Sequence, residues 1–106
     1  MISLYGHGFI GKHFKNLYKS EVEVQDRDER VPRHNDILYM ISTTHNYHVH
    51  DQITLDVETN LQVLCETLDF CRSNEITFNF VSSWFVYGKG AHSPASEVQA
   101  CNPTGF

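Results

Sequence analysis

The amino terminus constrains this chain more than any other segment. Ile2-Ser3-Leu4-Tyr5 is a short β-prone run, followed at once by Gly6-His7-Gly8-Phe9-Ile10-Gly11 and then by apolar residues at helical spacing, Ile10, Phe14, Leu17 and Tyr18. The pattern predicts a strand, a glycine turn and a helix, in that order. A GxGxxG in this context has a physical reading that the same letters elsewhere would lack. The first glycine permits a tight turn, the second lets backbone amides approach a pyrophosphate, and the third lets helix pack on strand. The partial positive charge of the helix amino terminus faces the anion.

The remaining elements follow from hydropathy patterning. Residues 22–25 alternate as a second strand would and lead into the charged stretch Asp26-Arg27-Asp28-Glu29-Arg30, read as a solvated loop. Asp26 lies 20 positions after Gly6, where an acidic side chain accepts hydrogen bonds from the adenosine ribose of a dinucleotide. That favours NAD, while the adjoining Arg27 leaves room for the extra phosphate of NADP. Residues 36–41 form a nearly continuous apolar run, as in a strand buried on both faces of a parallel sheet. A polar loop over 42–51 precedes an amphipathic helix over about 53–71, with Ile53, Val57, Leu61, Leu64, Leu68 and Cys71 on its stripe and Thr54 or Asp56 as its cap. A further buried strand is expected over 76–81, and an irregular tail from Ser82 onward.

Strands alternating with helices predict an α/β fold: a three-layer, Rossmann-like domain with a small parallel sheet of about four strands and right-handed crossovers. Ligands in such sheets bind at the carboxyl ends of the strands, here the segments that begin at Gly6, Asp26, Ser42 and Ser82.

Bulk properties narrow the function classes. With 106 residues there is room for one domain, and a net charge of −5 gives counterion release on nucleic acid or an anionic membrane little to work with. No apolar run approaches the roughly 18 residues of a membrane span, so a cytoplasmic protein is expected. Cys65, Cys71 and Cys101 form no CxxC pair and read as reduced, mostly buried thiols. His45, His48 and His50 match no strong zinc spacing, so no metal site is expected. His7 reads as a turn residue whose backbone approaches phosphate, and Ser83 lacks the GxSxG elbow of a hydrolase.

Gly8-Phe9-Ile10-Gly11, Val24-Gln25-Asp26-Arg27 and Phe80-Val81-Ser82-Ser83-Trp84-Phe85-Val86-Tyr87-Gly88, with Pro94-Ala95-Ser96-Glu97 and Asn102-Pro103-Thr104-Gly105 after them, together resemble the extended short-chain dehydrogenase/reductases, the family of the NAD-dependent nucleotide-sugar epimerases and dehydratases. The resemblance runs along the whole chain and is most specific at the serine-bearing strand with its Val-Tyr-Gly. It implies cofactor contacts at Gly6, His7, Gly8, Phe9, Ile10 and Gly11 in the turn, at Asp26 and Arg27, at Ser42, Thr43 and Ser82 after later strands, and at Asn60 in the long helix. Ser83 takes the place of the family's catalytic serine, which hydrogen-bonds the substrate oxygen. The family's base is a tyrosine followed four residues later by a lysine, and this chain has neither.

The resemblance therefore implies that residues 1–106 form the amino-terminal, cofactor-binding part of such an oxidoreductase, inactive alone. The base and the sugar-binding part would lie beyond Phe106, and the parent reaction would be hydride transfer at a carbon of a nucleotide sugar. Trp84-Phe85 stand where 4,6-dehydratases carry Asp-Glu, favouring epimerase or reductase chemistry. Only ten positions separate Asp26 from Asp36, too few for the family's additional strand and helix, so the sheet should be small. The alternative is a non-catalytic nucleotide-binding or protein-interaction module of the same fold. An unpaired sheet edge would favour self-association into a homo-oligomer in either case.

Overall fold

A computed structural model describes residues 1–42, 51–88 and 96–102. Thr43, the three loop histidines and most of the two motifs that begin at Pro94 and Asn102 lie outside the described residues. The elements in chain order are β1 (Ile2–Tyr5), α1 (Phe9–Leu17), β2 (Val22–Val24), β3 (Asp36–Tyr39), α2 (Ile53–Val57), a π-helical turn (Glu58–Gln62), α3 (Val63–Ser73), β4 (Thr77–Phe80) and a 3-10 turn (Trp84–Tyr87).

The four strands form one parallel sheet in the order β2-β1-β3-β4. From β1 the chain moves outward to β2 and then crosses back to lay β3 on the other side of β1. The strand order thus reverses between β1 and β3, the point at which such sheets open a crevice. The ladder extends past the strand ends through the Gln25 N–H to the Leu4 carbonyl at 2.9 Å, Met40 N–H to Tyr5 at 2.7 Å and Val81 N–H to Tyr39 at 3.1 Å. These bonds fix the carboxyl-end loops relative to one another.

Period-two alternation sorts the sheet residues onto two faces. Tyr5, Ile37 and Tyr39 share one face and are buried with Cys71 of α3, with Val63, Leu64 and Phe78 packed around them. Tyr39 stacks at 5.9 Å on Tyr5 and at 5.4 Å on Phe78, an aromatic row across three strands. Leu4, fully buried, points to the opposite face, and its Cδ2 lies 3.7 Å from the position of a Cβ on Gly11 in α1. Helices therefore cover both faces, as the strand and helix alternation predicts.

Several local expectations need correction. The long helix is not capped by Thr54 or Asp56. Its N-cap is Gln52, without a side-chain cap bond, and Asp56 sits one turn inside, where it accepts from Asn60. Of the expected stripe Leu64 and Cys71 turn inward, joined by Thr59, Val63 and Thr67, whereas Ile53, Val57, Leu61 and Leu68 are exposed. Val63, Thr67 and Cys71 share one face of α3 at i, i+4 spacing, and Thr59 of the π turn precedes them. Thr67 tolerates burial because its hydroxyl donates to the Val63 carbonyl at 2.8 Å. Strand β4 is mostly exposed, since among the described residues no strand pairs with its outer edge. In α1 only Gly11 is buried, with Ile10 and Leu17 largely exposed. Cys71 is the one buried cysteine, while Cys65 and Cys101 are exposed. The tail from Ser82 is less irregular than expected, because the Val86 N–H bonds the Ser83 carbonyl to start the 3-10 turn.

Candidate functional site

The glycine turn is held by sterics. Gly6 adopts φ +106°, and a Cβ there would stand 2.9 Å from the Met40 carbonyl carbon, so its backbone presses against the end of β3. A Cβ on Gly11 would lie 2.0 Å from the Gly6 carbonyl oxygen, which lets the first turn of α1 sit directly on the loop. Gly8 differs from both: a Cβ there would meet nothing within 4 Å. It is the N-cap of α1 and has no side chain to satisfy the amides behind it, and the first turn contains no acidic residue. The leading N–H groups of α1 lack intrahelical partners by geometry and present partial positive charge to an anion.

A cleft of about 710 Å³ opens beside this turn. Its floor is Gly6, Gly8, Phe9, Ile10 and Gly11, and one wall is Met40, Ile41 and Ser42 at the end of β3. Asn60 enters from the π turn, and Phe80, Val81, Ser82, Ser83 and Val86 close the β4 side. The structure thus brings together nine of the residues picked out in the sequence: five in the turn, with Ser42, Asn60, Ser82 and Ser83. Asn60 is oriented by its Nδ2 donating to Asp56 Oδ1 at 2.8 Å.

The remaining candidates fall elsewhere. His7 is exposed and does not line the cleft. Arg27 lines a second, smaller cleft of about 300 Å³ of mixed charge, with Asp28 and Arg30 from the same loop and Glu58, Thr59 and Glu66 from the long helix. The two clefts share Ile41, so they meet at the end of β3. Asp26 lines neither. Its side chain is 85 % exposed just past β2, with the Arg33 guanidinium 3.4 Å away. Arg33 also binds Glu29 at 2.8 Å and Glu23 at 2.5 Å, and these contacts hold both carboxyls below their usual range. His34 adds to the effect on Glu23, with its Nε2 2.7 Å from the carboxylate.

The sequence reading missed Arg33, whose contacts arise only because the loop after β2 folds back on itself. It also missed Met40, Ile41 and Val86, which look in sequence like ordinary core residues. Two tyrosines close to the glycine turn are unsuited to proton transfer. Tyr5 and Tyr39 are buried with hydroxyls lacking a hydrogen-bond partner among the described residues. Desolvation raises both phenols, pushing Tyr39 up to about 12.

No protein-family model matches the chain, and no curated protein matches it. A solved structure is similar: RMD from Pseudomonas aeruginosa complexed with NADPH, with 18% sequence identity and a TM-score of 0.75 over 98% of this chain. The likeness shows a Rossmann-type fold. The chain spans 42% of the length of that neighbour.

Proposed function

We propose that this chain is a nicotinamide-dinucleotide-binding module of the short-chain dehydrogenase/reductase kind. Its parent activity would be hydride transfer at a carbon of a nucleotide sugar, of the epimerase or reductase type. The observation that carries the reading is the glycine turn at the strand-order reversal: Gly6 and Gly11 are required by close backbone contacts, while Gly8 faces open space beside the larger cleft. A pyrophosphate would rest against the backbone at Gly8, Phe9 and Ile10, where the amino-terminal amides of α1 supply donors. The ends of β3 and β4 would flank the nicotinamide half with Ser42 and Ser82, and Asn60 would bound the cleft from the helix. The adenosine end would lie toward Asp26, Arg27 and the smaller cleft, with either NAD or NADP admitted. That the neighbour of the same fold is complexed with NADPH supports NADP as at least an equal candidate.

The dinucleotide, when bound, supplies or accepts the hydride. Ser83 would hydrogen-bond the substrate oxygen from the β4 side of the cleft. None of the five tyrosines is followed at the fourth position by lysine, so no residue of this chain is assigned the proton-transfer step. That observation favours a second reading, cofactor binding without turnover by this chain. Cytoplasmic location and self-association through the outer edge of β4 belong to the same proposal.

Calorimetric titration of the full chain with NAD and with NADP tests the reading. Binding is expected, and Gly8→Asp should weaken it by at least about tenfold, because a carboxylate would face the pyrophosphate. A chain folded by circular dichroism that binds neither dinucleotide would overturn the assignment and leave a protein-interaction module.

A further inference from the structure

The loop after β2 is closed at both ends by one buried side chain. Gln25, 5% exposed, accepts from the Arg33 N–H at 3.1 Å through Oε1 and donates to the Val31 carbonyl at 3.4 Å through Nε2. This brings Arg33 back over the start of the loop, where its guanidinium meets three carboxylates. Nη1 donates to Glu23 at 2.5 Å, Nη2 and Nε donate to the two Glu29 oxygens at 2.8 and 3.2 Å, and Nη2 reaches Asp26 Oδ2 at 3.4 Å. Glu23 and Glu29 hold the guanidinium by short bonds, and Asp26 takes the longest. The two glutamates therefore fix the cation in place and Asp26 receives its field. The neighbouring Arg30 is committed otherwise, to Glu66 at 3.1 Å and to the Arg27 carbonyl at 2.6 Å.

We propose that Arg33 is a specificity-determining positioning residue that offsets the charge of Asp26, so that the adenosine end accepts a ribose 2′-phosphate it would otherwise repel. The inference rests on the dinucleotide reading above. An uncompensated carboxylate after the second strand attracts ribose hydroxyls and disfavours a phosphate in the same place. With Arg33 fixed against it, Asp26 presents a paired charge, and Arg27 beside it makes no ion pair among the described residues. Removing Arg33 leaves Glu23, Asp26 and Glu29 facing one another without their common cation, and the local field turns against phosphate.

The test is the ratio of Kd for NADP to Kd for NAD, with 2′,5′-ADP against 5′-AMP as a second pair of probes that differ only in the 2′-phosphate. The full chain should bind the two members of each pair within about tenfold of each other. Arg33→Met should move the ratio toward NAD by about tenfold or more, and Arg33→Lys, which keeps the charge without the fork, by less. In an Asp26→Asn background the Arg33→Met shift should shrink to under about threefold, because the charge that Arg33 offsets is gone. A purely structural role would weaken both members of a pair alike and leave the ratio in place. Circular dichroism on each variant separates misfolding from selectivity, and Arg33→Gln, which also removes the charge, serves if Arg33→Met does not fold. An unmoved ratio, or an undiminished shift in the Asp26→Asn background, overturns the proposal while leaving dinucleotide binding intact. Failure of the folded full chain to bind any of the four probes overturns both.

Discussion

The glycine turn and the loop after β2 both sit at carboxyl ends of neighbouring strands, yet they are held by different forces. The turn is fixed by hard contacts between backbones: the Gly6 backbone against Met40, and Gly11 against the Gly6 carbonyl. The loop is fixed by charge, through one guanidinium shared among three partly to largely exposed carboxylates and a single buried amide. Steric constraint is indifferent to pH and salt and intolerant of a methyl group. Charge constraint accepts side-chain changes of similar shape but weakens with protonation and screening. A site built from both would have a rigid phosphate end and a tunable adenosine end.

The largest expected effect breaks the steric half. In Gly11→Ala the new methyl would overlap the Gly6 carbonyl oxygen at 2.0 Å, and neither backbone can move without lifting α1 off the sheet. A loss of about 3 kcal/mol or more is expected, read as a lowered urea midpoint or outright unfolding. Gly6→Ala should be milder yet still costly, about 1–3 kcal/mol, because it combines φ +106° with a 2.9 Å contact. Gly8→Ala supplies the contrast. With nothing within 4 Å, its stability should change by no more than about 0.5 kcal/mol. Equal losses at all three glycines would show that the turn does not divide into two packed positions and one open one.

A smaller effect probes the wall behind the turn. Tyr39 is buried to 1% exposure and stacks on Tyr5 and Phe78, yet its hydroxyl has no hydrogen-bond partner among the described residues. Tyr39→Phe keeps the stacked ring and removes the unsatisfied oxygen, so it should raise stability by about 1 kcal/mol in urea unfolding. A fall of similar size would mean that the hydroxyl is satisfied by buried water and belongs to the polar part of the structure.

What could be read from the sequence divides along the same line. The strand, turn and helix at the amino terminus and the parallel sheet follow from local pattern, and the rule for strand ends points to the segments that begin at Gly6, Ser42 and Ser82, whereas Asn60 and Ser83, which meet them at one cleft, were picked out through the family resemblance. The inward face of the long helix followed only in part, because apolar residues stand on both faces and the π turn at Glu58–Gln62 resets the phase between them. Thr67 and Cys71 went inward while Leu61 and Leu68 stayed out, and no periodicity count separates those outcomes. The Arg33 cluster was hidden for a different reason. Its ties to Glu23 and Asp26 depend on how Gln25 folds the loop back, which is a tertiary fact.

The smallest expected effect lies in the charged half. Glu23 and Glu29 both have carboxyls depressed below their usual 4.5, first through hydrogen bonds from Arg33 and, for Glu23, next from His34. A group with a lowered folded-state value stabilises the fold above its unfolded value and loses that contribution as pH falls through the folded one. The loop should therefore be fully held at neutral pH and loosen below about pH 4.5, as the carboxylates take up protons and release Arg33. Both glutamates are solvent-accessible, so the change should be local and should diminish in high salt. Amide hydrogen exchange read from Asp26 to Arg33 and from Gly6 to Gly11 across this range makes the comparison direct: the loop after β2 should lose protection before the glycine turn does. Simultaneous loss in both segments would mean that the two regions open as one unit, and that the steric turn depends on the charged loop for its stability.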